Sequence, residues 1–250
     1  MFDLAGRVAV ISGSTRGVGL AVASMLSRAG ASVVLNYALD DEKAEKALLS
    51  VTDAGGKAIA VKADVSRREG AHALVATAER EFGAVDILVN NTHGRITRKP
   101  FAETTWEEHA AQVEAVLGAA YHLTRAALPG MQKRGYGRVV NVGNNMVQQP
   151  IKGYSALTSA MAALMGFTRD TAAEFGQYGI TVNMVSPGFV MTEEAPHTNE
   201  SVREAIRKAT PLGRLAVPED VAGAVLFFCS EAGRFVTGAN LSTDGGKVMG

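Results

Sequence analysis

Two hydrophobic patterns alternate along the chain. Short β-branched runs at 8–11, 33–35, 58–61, 87–89, 139–142 and 181–185 have strand length and little polar alternation, as strands buried on both faces do. Between them lie Ala- and Leu-rich stretches with helical spacing, at 18–28, 42–53, 69–82, 106–132, 154–175 and 219–230. This regular alternation predicts an α/β fold, a parallel sheet with helices on both faces, and right-handed crossovers make it doubly wound. No linker, low-complexity tract or repeat interrupts it, so residues 1–250 are read as a single domain.

Composition narrows the function classes. Lys plus Arg is 25 and Asp plus Glu is 25, so the formal net charge is zero. A balanced chain has no broad field for a polyanion, which argues against nucleic acid or an anionic membrane as partner. Hydrophobic residues make up 47% and charged residues 20%, enough apolar surface for a core and too little charge for disorder. The longest apolar run, 221–229 with Gly223 counted in, is far short of the roughly 20 residues a membrane helix needs. The start of the chain has no basic segment followed by an apolar stretch, and the single Cys229 fits a reducing compartment. Five scattered histidines show no metal-ligand spacing, so no metal is expected. A soluble cytoplasmic protein is expected.

In a doubly wound sheet, ligands bind where the strands end and loops lead into helices. After the first strand come Ser12, Gly13, Ser14, Thr15, Arg16, Gly17, Val18 and Gly19, which open the first helix at once. Glycines let the backbone approach a pyrophosphate, and the helix start offers free N–H groups. This Rossmann-type turn points to a nucleotide. Asn36 ends the second strand, where an NAD site usually carries an acid for the ribose 2′-hydroxyl. With a neutral residue there and Arg16 in the turn, NADP(H) is expected ahead of NAD(H).

The chain resembles the short-chain dehydrogenase/reductase family over essentially its whole length. The resemblance rests on Gly13, Gly17 and Gly19, on Asp64-Val65 after strand three, and on Asp86 through Asn90-Asn91 at strand four. It continues with Tyr154 opening a long helix, with Pro187-Gly188-Phe189-Val190 and Thr192 after strand six, and with Asp244-Gly245-Gly246 near the end. Asn36-Tyr37-Ala38 and Gly213-Arg214-Leu215 bring it nearest the oxoacyl-carrier-protein reductase branch. The resemblance implies that Asp64 and Val65 hold the adenine, that Asn90 lines the cofactor cleft, and that Val190 and Thr192 meet the nicotinamide carboxamide. It also implies a homotetramer built through 221–228 and 241–246.

The family's four catalytic positions read differently here. Tyr154 is present, but Thr158 stands where a Lys is usual, Asn144 where a Ser is usual and Val116 where a helix Asn is usual. The usual Asn-Asn-Ala-Gly becomes Asn90-Asn91-Thr92-His93-Gly94, with one residue inserted. Without an ammonium beside it a phenol keeps its proton to about pH 10. It is then a poor base for alcohol oxidation and still a proton donor for carbonyl reduction. The Asn144 amide can donate to the same carbonyl oxygen, the Thr158 hydroxyl can meet the ribose, and His93 is a candidate replacement proton donor. Lys152 is a second candidate for the missing cation, and Arg95, in a basic cluster with Arg98 and Lys99, could meet an acidic substrate. Met146, Met184, Met191 and Trp106 are candidates to line an apolar cleft or, more plainly, core. Where carrier-docking members tend to have Arg, this chain has Pro129 and Ala173, so a free small-molecule carbonyl compound is expected. The reading is a ketone or conjugated-carbonyl reductase with an atypical site. Its alternatives are a nucleotide-binding subunit, catalytically weak and paired with an active paralogue in a hetero-oligomer, or a non-redox cyclisation or elimination on the same fold.

Overall fold

Seven strands lie in one sheet, β1 (Val8–Ile11), β2 (Ser32–Tyr37), β3 (Ala58–Lys62), β4 (Ile87–Asn90), β5 (Gly137–Val142), β6 (Ile180–Pro187) and β7 (Asn240–Thr243). They run parallel throughout in the order β3-β2-β1-β4-β5-β6-β7. The structure is a computed structural model and describes residues 1–193 and 198–249. Because β1 sits between β2 and β4, the strand order reverses at β1 and β4, and a crevice opens beyond their carboxyl ends.

Helices α1 (Gly17–Arg28), α2 (Asp41–Thr52), α3 (Arg68–Phe82), α4 (Trp106–Val113), α5 (Ala119–Arg134), α6 (Ser155–Phe175), α7 (Glu200–Lys208) and α8 (Pro218–Cys229) connect the strands. Strand side chains alternate between two cores, which is why the strand runs are apolar without a gap. Ile11, Val33, Leu35 and Val89 meet Val22 and Leu26 of α1 and Val225 and Phe228 of α8 on one face. Val10, Val34, Leu88 and Val182 meet Leu74 and Val75 of α3, Leu123 and Met131 of α5 and Phe175 of α6 on the other. A third cluster, Val116, Ala120, Leu157, Met161, Leu164 and Met184, fills the space behind Tyr154.

Four elements differ from the sequence pattern, beginning with the edge strand β7, whose Asn-Leu-Ser-Thr contains no β-branched apolar run. The stretch expected as one helix over 106–132 is α4 and α5 joined by a π-helical turn over Glu114–Gly118, where the Ala119 N–H reaches back to the Glu114 carbonyl. Such turns insert one residue into an otherwise regular helix, so hydrophobic spacing passes over them. Thr105 caps α4 reciprocally with Glu108, at 3.3 Å and 2.9 Å. Helix α7 was not expected: Val202, Ala205 and Ile206 line one face of it, but the stripe spans little more than one turn and none of its residues is fully buried. Tyr154 is the N-cap of α6 and not its first residue.

Among the described residues, no helix is long and apolar enough to cross a membrane. Cys229 is fully buried between α8 and the sheet, and burial pushes its thiol up to about 12. Since the thiolate is the reactive form, Cys229 is expected to resist dithionitrobenzoate in the native protein at pH 8 and to react at once in guanidinium. Stoichiometric labelling of the folded chain on mixing would contradict this packing.

Candidate active site and cofactor cleft

The glycine turn joins β1 to α1 with backbone that only glycine adopts easily: φ is +58° at Gly13 and +52° at Gly17. A Cβ on Gly19 would collide with the Gly13 carbonyl oxygen and come within 2.7 Å of Asn91 Nδ2. Thr15, half-buried, and Arg16, exposed, lie between the glycines. Arg16 is the N-cap of α1, among the described residues no side chain caps that end, and no acid sits in the first turn. The first N–H groups of α1, including those of Gly17 and Val18, thus face the crevice with the positive end of the helix dipole, which suits a phosphate.

Side chains from neighbouring strands hold this turn. Ser12 Oγ accepts the N–H groups of Asn91 (2.9 Å) and Thr92 (3.1 Å), and Asn91 Nδ2 donates to the carbonyls of Ser12 and Gly13. Ser14 is buried: its hydroxyl donates to the Ile11 carbonyl at 2.8 Å and accepts from the Asn36 N–H at 2.9 Å. Asn36 is buried too, its Oδ1 accepting from Gly13 N–H and its amide donating to the Ala63 carbonyl. This corrects the expectation for both residues: strand alternation turns position 36 inward, so their side chains build the turn and leave the rim to Tyr37. The Tyr37 hydroxyl donates to Asp41 at 2.9 Å, and chiefly that bond raises its pKa above the usual phenol value. Asp41 pairs with Lys62 at 2.7 Å and Asp40 with Lys43 at 3.0 Å. The Lys43 N–H, first, and its ammonium hold the Asp40 carboxyl below its ordinary range, and Arg16 is near enough to add to this.

Around the rest of the rim, Asp64 is exposed and accepts from Ser66, while the Val65 side chain is in the core and only its backbone can meet a ligand. Asn90 is buried, and its amide donates to Asn141 (2.8 Å) and Thr124 (3.3 Å), which ties β4 to β5, while its Oδ1 has no hydrogen-bond partner among the described residues. The segment after β6 returns to the glycine turn. Asp244 Cβ lies 2.9 Å from where a Gly188 side chain would start, Val190 bridges to Ala216, and the Thr192 methyl lies 3.3 Å from the Cβ position of Gly17.

Tyr154 is half-buried at the start of α6, and its carbonyl accepts the first helical bond, from Thr158 N–H, at 2.9 Å. Asn144 is half-buried after β5. Its Oδ1 accepts from Met146 N–H at 3.0 Å, which leaves its NH₂ group as the available donor. Val116 is buried in the π-helical turn among apolar neighbours and offers no polar group. His93 is exposed, with Nδ1 3.3 Å from the Gly94 carbonyl and no contact with Tyr154, so the structure does not bring this candidate to the site. Lys152 is exposed as well; the cation beside the ring is Arg98, whose guanidinium carbon is 5.6 Å from the Tyr154 centroid. Met184 and Met146 pack in the third cluster, and Trp106 is 77% exposed, so these do not form an apolar cleft.

With this geometry established, comparison with known proteins is decisive. Residues 13–247 match a family described as Enoyl-(Acyl carrier protein) reductase. The chain is 35% identical over 248 residues to the 3-oxoacyl-[acyl-carrier-protein] reductase FabG of Vibrio cholerae, covering 99% of each. It is 32% identical to glucose 1-dehydrogenase 2 of Bacillus subtilis, covering 99% of this chain and 96% of that one. A solved short-chain dehydrogenase/reductase from Serratia marcescens superposes with a TM-score of 0.91 at 33% identity, over 98% of both chains. The chain belongs to the short-chain dehydrogenase/reductase family.

Within that oxidoreductase family it falls in the 3-oxoacyl-carrier-protein reductase branch. The sequence reading missed Ser12 and Asn91 as holders of the glycine turn. It also missed Asn145, which bonds Asp244 at 3.0 Å and so ties the loop bearing Asn144 to the end of the chain. The available signal was a small polar residue at the end of each central strand.

Gly19 is the tightest of these contacts. Gly19→Ala is expected to lower stability by about 1–3 kcal/mol, the usual range for overpacking. A urea midpoint equal to wild type would show that the turn yields freely and that the packing described is wrong.

Proposed function

We infer that this chain is an NADP(H)-dependent carbonyl reductase in which Tyr154 gives the proton. The observation that carries this reading is the uncapped start of α1, with positive-φ glycines beside it, on the same sheet edge as Tyr154 and Asn144. A side chain on Gly13 or Gly17 would fill the cradle, and the unclaimed N–H groups there suit a pyrophosphate. Gly13, Thr15, Arg16, Gly17, Val18 and Gly19 hold the phosphates, Tyr37 and Arg16 the ribose end, and Asp64 with the Val65 backbone the adenine. Pro187, Gly188, Val190 and Thr192 border the nicotinamide. When bound, NADPH supplies the hydride.

The chain's own residues do the rest. Tyr154 donates its phenolic proton to the carbonyl oxygen, and the Asn144 NH₂ donates a hydrogen bond to the same atom as charge develops there. Thr158, one turn along α6, offers a hydroxyl to the nicotinamide ribose. Preference for the 2′-phosphate follows from Arg16 and from an uncharged Tyr37, with Asp40 and Asp41 each matched by a lysine. The substrate is a small free ketone or conjugated carbonyl compound, since the two places where carrier-docking members tend to have Arg are Pro129 on α5 and Ala173 on α6. Subunits assemble as a homotetramer through α8 and the edge strand β7. Near that edge Phe235, Leu212 and Leu241 are exposed at 100%, 69% and 40%, an apolar rim beside a strand whose outer edge pairs with no other strand among the described residues.

Three measurements test this. NADPH is expected to bind more tightly than NADH in calorimetry, and Arg16→Ala to narrow the gap by about 1.5–3 kcal/mol, the range for a charge-assisted hydrogen bond; equal affinity for both nucleotides in the wild type would sink the assignment. Tyr154→Phe should lower kcat for carbonyl reduction by roughly 10²–10⁴ with NADPH affinity unchanged, whereas unaltered turnover would remove Tyr154 from the reaction. In light scattering at micromolar concentration, a species of 26.2 kDa alone would refute the assembly.

A further inference from the structure

We propose that Arg98 is an anion-binding residue of this site and that the substrate is a small oxo acid, its carboxylate held by Arg98 and its carbonyl presented to Tyr154. The carbonyl half rests on the reductase reading above; the carboxylate half rests on the loop that follows β4.

That loop is fastened to the segment in front of Tyr154. Lys99 N–H donates to the Gly153 carbonyl at 2.9 Å, and Arg98 Nε donates to the Lys152 carbonyl at 3.3 Å. Gly153 has φ +89°, and a Cβ there would lie 3.0 Å from Arg98 Cγ and 3.4 Å from Lys99 N. The glycine thus makes room for the arginine stem, and the guanidinium comes to rest over the Tyr154 ring. Backbone bond, glycine gap and aromatic face together direct the exposed guanidinium to the ring side of Tyr154, which lowers the ordering cost of binding there.

The guanidinium fork is not used inside the protein. Neighbouring cations have carboxylates: Lys99 meets Glu108 at 2.8 Å and Arg67 meets Glu114 at 2.9 Å. Among the described residues, Arg98 has no carboxylate within 4.0 Å, and its two terminal nitrogens make no hydrogen bond. Arg95 on the same loop and Lys152 on the facing one are exposed and also lack an acidic partner among those residues. Arg98 and Lys152 beside the tyrosine, with Arg95 earlier on the same loop, in a chain of zero net charge, are a local concentration of positive potential. Two parallel N–H groups of a guanidinium match the two oxygens of a carboxylate. A Lys at position 98 would keep the charge and lose that fit.

The test uses the full chain saturated with NADP⁺, and the chain alone, titrated calorimetrically with pyruvate, acetoacetate and levulinate and with their methyl esters. In parallel, NADPH consumption is followed with each compound. At least one acid should bind tenfold or more tightly than its ester, and Arg98→Leu should bring that ratio close to one without changing NADP⁺ affinity or Tm. Arg98→Lys should fall between. Esters binding as well as acids, no acid binding to the wild type, or a ratio unchanged in Arg98→Leu would each overturn the proposal. If acids bind with this preference and none is reduced, the reductase reading fails while the anion site stands.

Discussion

The functional edge of this molecule depends on hydrogen bonds that tie the carboxyl ends of β1, β2 and β4 to one another. Ser12, Asn36 and Asn91 each satisfy backbone groups on a neighbouring strand or on the glycine turn. A tight turn with two positive-φ glycines has backbone groups that no regular structure pairs, and buried groups of that kind cost free energy unless a side chain reaches them. Three short polar side chains do so here, and the helix start they steady is left open. Asn90, Asn141 and Thr168 repeat the device one strand further on, where Asn141 donates to Thr168 at 2.8 Å and links β5 to the helix that Tyr154 opens. The two halves of the proposed site are joined by one polar seam across the sheet.

Within the proposed site, charge is arranged in a way the family pattern does not anticipate. Thr158 carries none, Val116 has become part of an apolar cluster, and the cation beside the phenol comes from a loop over the ring face.

Much of this was legible in the sequence because it rests on local rules. Uninterrupted β-branched runs separated by helical spacing marked six of the seven strands to within about two residues, the edge strand β7 having no such run, and the glycine turn was placed by its position after the first strand. What escaped has physical reasons. The π-helical turn keeps the apolar spacing on both sides, and the apolar stripe of α7 is little more than one turn long, so neither stands out in the sequence. Asn36 was read as a rim residue because strand ends are where ligands bind, yet its orientation is decided by the pleat, which placed Tyr37 outward. His93 looked like a proton donor near the centre, but it lies exposed, while Arg98 on the same loop, also exposed, reaches over the Tyr154 ring. Contacts between loops far apart in sequence are what spacing alone cannot show.

The central claim, that the phenol of Tyr154 works here as a proton donor without the family's lysine, is tested most directly by steady-state reduction with Thr158→Lys. A second cation one turn from Tyr154 would meet Arg98 across the ring and an apolar cluster at Val116, with no polar relay to join. The account predicts turnover equal to or below wild type, with nucleotide affinity retained. A large gain in turnover, in reduction or oxidation, would show that the site is a damaged copy of the family's own and would contradict the account.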